Sequence, residues 1–318
     1  MFICKRGGML ESKAFQACAD TGWQANPLIF LGFRLFMRIA LLLLLLTFSI
    51  PGFAAGYSAS IEQSRWELEA SKFSCRLSQT IPLFGEGEFN QEAGETVRFI
   101  LKPLQGHGLK GQVQIMEAAS PWQPGIATRE IGAVKFAADG TIAVPAGFSQ
   151  QMLASLFRGR MPTFLAQNWA ETGETVRIGL SAANFPPAYQ AYADCIADLL
   201  PVNYRQIART AVLFPSAQWQ LSDSTKARLD LIAIYVNSDD SVKSIYVDGH
   251  SDAQGRRLAN RDLSKKRAEA VTTYLEQKGV SPERITTRYH GERYPVAQSN
   301  DRLTRERSRR VTIRLDRN

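Results

Sequence analysis

Val242-Lys243-Ser244-Ile245-Tyr246-Val247 runs into Gly249-His250-Ser251-Asp252, and Gly255, Asn260, Leu263-Ser264, Arg267-Ala268, Val271 and Tyr274-Leu275 follow before Gly279 and Pro282. The first run predicts a strand over 242–247. The apolar spacing after it predicts a helix that stops at Gly279, since glycine adopts the left-handed cap and Pro282 bars continuation. Asn260 and Arg267 stand seven residues apart, two helical turns, so they project from one helix face, while Asp252 belongs to the loop above that face. Taken singly, Asp252 is an ordinary turn residue and Arg267 an ordinary solvated helix charge. Their joint placement at one end of a strand–helix unit marks a site.

Outward from this unit the second half continues in the same texture. Thr210–Phe214 reads as a strand stopped by Pro215, and Ser222–Val236 as a helix capped by Ser222 or Asp223, with Ala227, Leu229, Ile232, Ala233 and Val236 facing inward. Ile285–Tyr289 and Val311–Leu315 complete the set as strands. The order is β-α-β-α-β-β, a small α+β sheet with helices on one face.

The spacing Gly-His-Ser-Asp, two residues, Gly, four residues, Asn, two residues, Leu-Ser, two residues, Arg-Ala resembles the signature of OmpA-like peptidoglycan-binding domains. The resemblance covers about Arg209 to Leu315, with Gly291-Glu292, Pro295 and Arg309-Arg310-Val311 also fitting; Tyr289 and Ser308 depart from positions where that family usually has Gly and Asn. It implies that Asp252 meets the amine, and Arg267 the carboxylate, of the meso-diaminopimelate in a peptidoglycan stem peptide. Asn260 would share the helix face, and Leu263 and Ser264 would set the backbone near the ligand. The chemistry agrees: a zwitterionic centre needs an anion and a cation a few ångströms apart, and arginine offers a fork matched to a carboxylate. A metal reading with His250, Asp252 and His290 lacks a third ligand at tight spacing, and the resemblance gives the histidine a structural role. No metal and no cofactor is expected. With three histidines, no Gly-x-Ser-x-Gly and no reactive cysteine pair, catalysis has little to stand on, and no catalytic residue is assigned.

A chain of 318 residues is roughly twice a typical domain, and 45% apolar with 21% charged residues excludes a disordered chain, a coiled coil or a many-pass membrane protein. From Ile39 an uncharged apolar run of 12 residues follows Met37-Arg38 and precedes Pro51-Gly52-Phe53-Ala54. That is the grammar of a secretory signal over 37–54, too short for a spanning helix of about 20 residues. Cleavage is expected after Ala54, with no cysteine next to the cut to make a lipoprotein. Residues 1–36 read as an upstream extension ahead of a true start at Met37. The mature chain then keeps Cys75 and Cys195, which the oxidising exterior of the cell favours pairing; two separate buried thiols are the alternative.

Between Ala55 and Asn203 there are 11 basic and 14 acidic residues, and from Tyr204 to Asn318 there are 22 and 14, so the basic surplus belongs to the second half. Residues 55–203 and 204–318 are therefore read as two domains. The first shows short alternating runs such as Thr96–Leu101, Gln112–Ile115 and Thr175–Ile178 between Gly and Pro signals, which predicts a mostly-β domain. One helical interlude is expected over Ser149–Arg158, where Met152, Leu153, Leu156 and Phe157 recur at helical spacing. The basic run Arg305, Arg307, Arg309 and Arg310 reads as alternating charges on a final strand, and export removes nucleic acid as a partner.

About 150 residues rich in Gly, Pro and scattered charge cannot supply an outer-membrane barrel. Instead Tyr57-Ser58-Ala59, Ser64-Arg65-Trp66, Phe73-Ser74-Cys75-Arg76-Leu77, Ile81-Pro82, Phe84-Gly85, Phe89 and Cys195 look like the MotY family of periplasmic flagellar proteins. The resemblance implies a β-rich domain that joins a ring around the flagellar basal body, a second domain that grips the wall, and a disulfide between the two cysteines. The implied partners are the peptidoglycan stem peptide, the basal body and a ring protein such as MotX, with the stator supported indirectly. The expected role is a non-enzymatic structural component of the flagellar motor, located in the periplasm. A peptidoglycan-processing enzyme targeted by its wall module, or a general envelope tether, are the alternatives.

Overall fold

In the computed structural model the described residues are 56–104, 111–169, 174–299 and 301–317, so the expected signal segment lies outside them. The first half forms strands β1 (Gly56–Ser58), β2 (Trp66–Ala70), β3 (Ser74–Ile81), β4 (Gly85–Glu92), β5 (Arg98–Pro103), β6 (Gln112–Ala118), β7 (Arg129–Lys135), β8 (Ile142–Val144), β9 (Met161–Trp169) and β10 (Glu174–Gly179), with helices α1 (Ala146–Phe157) and α2 (Phe185–Ala197). Two five-stranded sheets result, ordered β1-β10-β9-β6-β7 and β2-β3-β4-β5-β8. Alternation explains the packing, because every second side chain faces the same way. Cys75 and Leu77 in β3, Phe89 in β4 and Phe99 in β5 enter one core with Val113, Ile115, Phe164, Val176 and Ile178 of the other sheet. Phe99 and Phe164 stack across it, ring centroids 5.6 Å apart.

The expected helical interlude is α1, whose Met152, Leu153 and Leu156 are buried, whereas Phe157 is exposed and touches Tyr189 from outside. Sequence reading missed α2. Its Pro186-Pro187 start looks like a loop, yet proline in the first turn of a helix removes only donors that lack a partner there anyway. Phe185, Tyr192 and Cys195 form its buried stripe, and a disulfide joins Cys195 to Cys75 of β3.

The second half begins with a short turn of helix, α3 (Tyr204–Ile207), followed by β11 (Arg209–Leu213), α4 (Asp223–Ser238), β12 (Val242–Gly249), α5 (Arg257–Gln277), β13 (Ile285–Tyr289), α6 (Arg302–Ser308) and β14 (Arg310–Arg317). The sheet order is β11-β14-β12-β13, with β12 and β13 parallel and the other pairs antiparallel. Leu229, Ile232, Ala233 and Val236 of α4 and Ala268, Val271 and Leu275 of α5 pack on Val242, Ile245, Val247, Val311, Ile313 and Leu315. The expected strand–helix order holds, with α6 added between the last two strands. One inward expectation changes: Ala227 is exposed, and Tyr235, not among the expected inward residues, is buried. The basic run is also not one strand. Asp301 caps α6 through Thr304 N–H, Arg305 and Arg307 lie in that helix, and β14 starts at Arg310.

The two cores meet through short contacts. Leu200 N–H donates to the Lys72 carbonyl at 3.0 Å, and Asn203 Nδ2 donates to Glu95 Oε1 at 2.9 Å. The Arg205 guanidinium reaches Glu92 at 2.6 Å and Glu95 at 2.9 Å. Phe73 leaves the first sheet to pack on the second core, its ring 5.5 Å from Tyr235.

The Cys75–Cys195 bond closes a span of 120 residues, which limits the unfolded chain by about 4 to 5 kcal/mol in the loop-closure account. Cys75→Ser with Cys195→Ser is expected to lower unfolding free energy by about 2–5 kcal/mol in urea titration. A melt that ignores reductant would count against any stabilising role.

Candidate functional site

The site is built where β12 runs out. A Cβ at Gly249 would collide with the carbonyl oxygen of Ser264, so the missing side chain lets α5 cross the strand end in contact with its backbone. Backbone hydrogen bonds then fix the loop that follows: His250 N–H donates to the Arg310 carbonyl, Ser251 N–H to the Gly291 carbonyl, and His290 N–H to the Gly249 carbonyl, each at 2.9 Å. Asp252 is delivered from this loop.

Arg267 has no exposed surface, although it is among the bulkiest side chains of the chain. Its Nε donates to the Gln218 carbonyl at 2.8 Å, Nη2 to the Pro215 carbonyl at 2.9 Å and Nη1 to the His250 carbonyl at 3.4 Å. The guanidinium also lies 5.3 Å from the centre of the Phe214 ring. The fork expected to meet a ligand carboxylate is thus held by backbone carbonyls of two loops. Burial pushes its pKa down to about 10, against the pull of the Asp252 charge, so it stays cationic at neutral pH.

The carboxylate of Asp252 pairs with Arg309, Oδ2 to Nη1 at 3.0 Å, both side chains largely buried. Arg309 also donates from Nε to the Phe214 carbonyl at 3.2 Å. Arg267 stands close by, its Nη1 on the carbonyl of His250 two residues before Asp252, so the field of a second guanidinium also acts on this carboxylate. Next to Asp252, the buried Ser251 Oγ has no hydrogen-bond partner among the described residues.

The other sequence-derived residues face a different loop. Asn260 Nδ2 donates to Glu292 Oε2 at 2.7 Å, and Ser264 Oγ accepts from Gly291 N–H at 3.0 Å while donating to the Arg261 carbonyl at 2.7 Å. Leu263 is half-buried beside them. One helix face thus holds three loops, Asn260 and Ser264 the 290–292 loop and Arg267 both the 215–218 loop and the loop that starts at His250. Arg309 was missed as a site residue because its partner lies 57 positions earlier. The paired arginines before the last strand were the available signal.

His250 is buried against His290, ring centroids 5.1 Å apart, and Tyr294 meets both rings edge-on. Asp248 holds His290 Nε2 at 2.8 Å and Arg288 at 2.7 Å. Among the described residues no group of three His, Cys, Asp or Glu converges as metal ligands, and Asp252 points to Arg309 instead.

Burial, with Arg310 and His290 nearby, pushes the His250 pKa down to about 4. The unfolded chain binds that proton near pH 6.5, so stability from this group is full above 6.5 and is lost as pH falls toward 4. His250→Phe should flatten this acid limb in pH-dependent urea melts. Arg267→Ala should cost roughly 3 kcal/mol or more in the same assay, because three carbonyls lose a charged donor in the interior. A loss under about 1 kcal/mol would show that the carbonyls are readily re-satisfied.

The family matches agree with this two-part architecture. Residues 57–201 match the MotY N-terminal domain, and residues 213–309 match the OmpA family. The chain is 31% identical over 264 residues to the sodium-type flagellar protein MotY of Vibrio parahaemolyticus, covering 82% of this chain and 90% of that protein. It is 39% identical over 70 residues to the peptidoglycan-associated lipoprotein of Pseudomonas putida, 22% of this chain and 42% of that one. Among solved structures, the peptidoglycan-associated lipoprotein of Burkholderia pseudomallei is 28% identical, covers 33% of this chain and 89% of its own, and gives a TM-score of 0.32. With MotY likeness along most of its length and an OmpA-like second half, the chain belongs to the MotY family, and its role in the flagellar motor is structural and not enzymatic.

Proposed function

We propose that the protein is a periplasmic link of the flagellar motor, in which residues 55–203 join a ring at the basal body and residues 204–318 grip peptidoglycan, giving the stator a fixed reference. The observation that carries the wall-binding part is the cluster of Asp252 with Arg267 and Arg309. One carboxylate shared by two cations leaves a positive surplus in a largely dry place, which a ligand carboxylate would neutralise while its amine approaches Asp252. A diaminopimelate centre carries both groups. Arg309 supplies the more accessible guanidinium for the carboxylate, and Arg267 supplies charge and holds the 215–218 loop in place. Among the described residues of the first half, Cys75 and Cys195 are committed to one structural disulfide.

The ring association and the ring protein partner, of which MotX is the kind implied by the family, rest on the family relation alone. Among the described residues no helix is long and apolar enough to cross a membrane.

Asp252→Asn keeps the shape of the side chain and removes its charge; it should lower the thermal melt, because Arg309 loses its buried partner, and at a temperature where the variant is folded it should weaken cosedimentation with purified sacculi by roughly tenfold. Arg302→Ala, on the exposed surface of α6, is the control expected to sediment as wild type. Arg317 is unsuited to that purpose, because its guanidinium pairs with Asp239 at 2.7 Å and covers the Tyr204 ring. Equal sedimentation of all three proteins would remove the site. In cells, deletion of the gene should leave flagella assembled but not rotating, and the protein should copurify with basal bodies; envelope blebbing with normal swimming would point to a general tether.

A further inference from the structure

The loop that α5 holds through Asn260 and Ser264 borders a second space, a groove of about 510 Å³ lined by Arg257, Leu258, Arg261, Tyr289 and the loop 290–293. It lies along the adjoining strip of α5, since Arg261 follows Asn260 and Lys265 follows Ser264. Three guanidinium groups, Arg257, Arg261 and Arg293, face this groove from exposed positions, and none has a carboxylate partner among the described residues. The one acidic residue of the lining, Glu292, already accepts from Asn260. The ring of Tyr289 lies under two cations, 5.4 Å from the Arg261 guanidinium carbon and 5.9 Å from Lys265 Nζ, which holds both against its face. Like charges gathered round a concave, partly apolar surface repel one another unless an anion joins them.

The groove and the Asp252 cluster share a wall. Gly291 N–H donates to Ser264 Oγ, and the Gly291 carbonyl accepts from Ser251 N–H, one residue before Asp252. A peptide held at Asp252 therefore has a basic groove on the far side of a single loop. In a wall stem peptide, the residue preceding diaminopimelate is a glutamate with a free carboxylate. We infer that the Arg257–Arg261–Arg293 groove binds this second carboxylate, so that the protein reads two adjacent acidic residues of the stem peptide and not diaminopimelate alone. The inference rests on the wall-binding reading above and extends it to a site that reading does not use.

The test is calorimetric titration of the full mature chain with three probes: free meso-diaminopimelate, the alanyl-γ-glutamyl-diaminopimelate tripeptide, and the same tripeptide with its glutamate carboxylate amidated. The wild type should bind the acidic tripeptide roughly tenfold more tightly than the amidated one. Arg257→Gln with Arg261→Gln should abolish that difference while leaving affinity for free diaminopimelate and the thermal melt unchanged. Equal affinity of the wild type for both tripeptides, or a difference that survives in the double variant, overturns the inference while the Asp252 site stands. A wild type that binds none of the three probes, or an Asp252→Asn protein that binds free diaminopimelate as well as wild type, overturns the wall-binding reading and this inference with it.

Discussion

A guanidinium removed from water must find its hydrogen bonds inside the protein, and the architecture of the second domain follows from how Arg267 finds them. Three carbonyls, from Pro215, Gln218 and His250, converge on one side chain that rises from the middle of α5. They bring the loop after β11 and the loop after β12 to the same place. Asp252 can stand beside Arg309 only because both loops are held there, and Gly249 lets the helix cross the strand end without a gap. The charge of Arg267 is thus structural and electrostatic at once. It organises the loops, and it raises the positive potential felt by anything that approaches Asp252.

The first domain uses a different device for the same end. Gln79 is almost wholly buried, yet its amide is satisfied on both sides: Nε2 donates to Ser64 Oγ and to the Ser181 carbonyl, and Oε1 accepts from Ser181 N–H. This ties β3 to the chain after β10, across the two sheets, while the disulfide ties β3 to α2. A buried amide is tolerated only when its donors and acceptors are matched, and the match explains why a polar residue can sit in a core built on Phe89, Phe99 and Phe164.

What could be read from the chain itself depended on how local the signal was. The strand of residues 242–247, the Ser222 cap of α4, the left-handed stop at Gly279 and the co-facing of Asn260 and Arg267 are written in short spacings, and each is found in the fold. The pairing of Asp252 with Arg309 is not local, and neither is the turning of the Arg267 fork toward two loops; both depend on chain segments brought together by the sheet. Helix α2 was hidden by Pro186-Pro187, whose effect depends on whether they open a helix or end one. In α6 the basic residues disguised a seven-residue helix whose start is fixed by a single aspartate cap. The residues around Asp252 were legible one at a time, and the geometry that decides what each does was not.

Cys75 sits two residues beyond Phe73, the aromatic side chain that crosses into the neighbouring core, and Cys195 sits five residues before Leu200, whose amide binds the Lys72 carbonyl. The covalent cross-link therefore lies in the first core, a few residues from the junction on both of its strands of chain. Tension applied between the far ends of the molecule passes from the chain around Leu200 through sulfur into β3, and does not have to be borne by the hydrogen bonds that zip α2 or the neighbouring strands. Load entering through Leu200 thus meets a covalent bond close behind the junction, one that mechanical strain alone does not readily open.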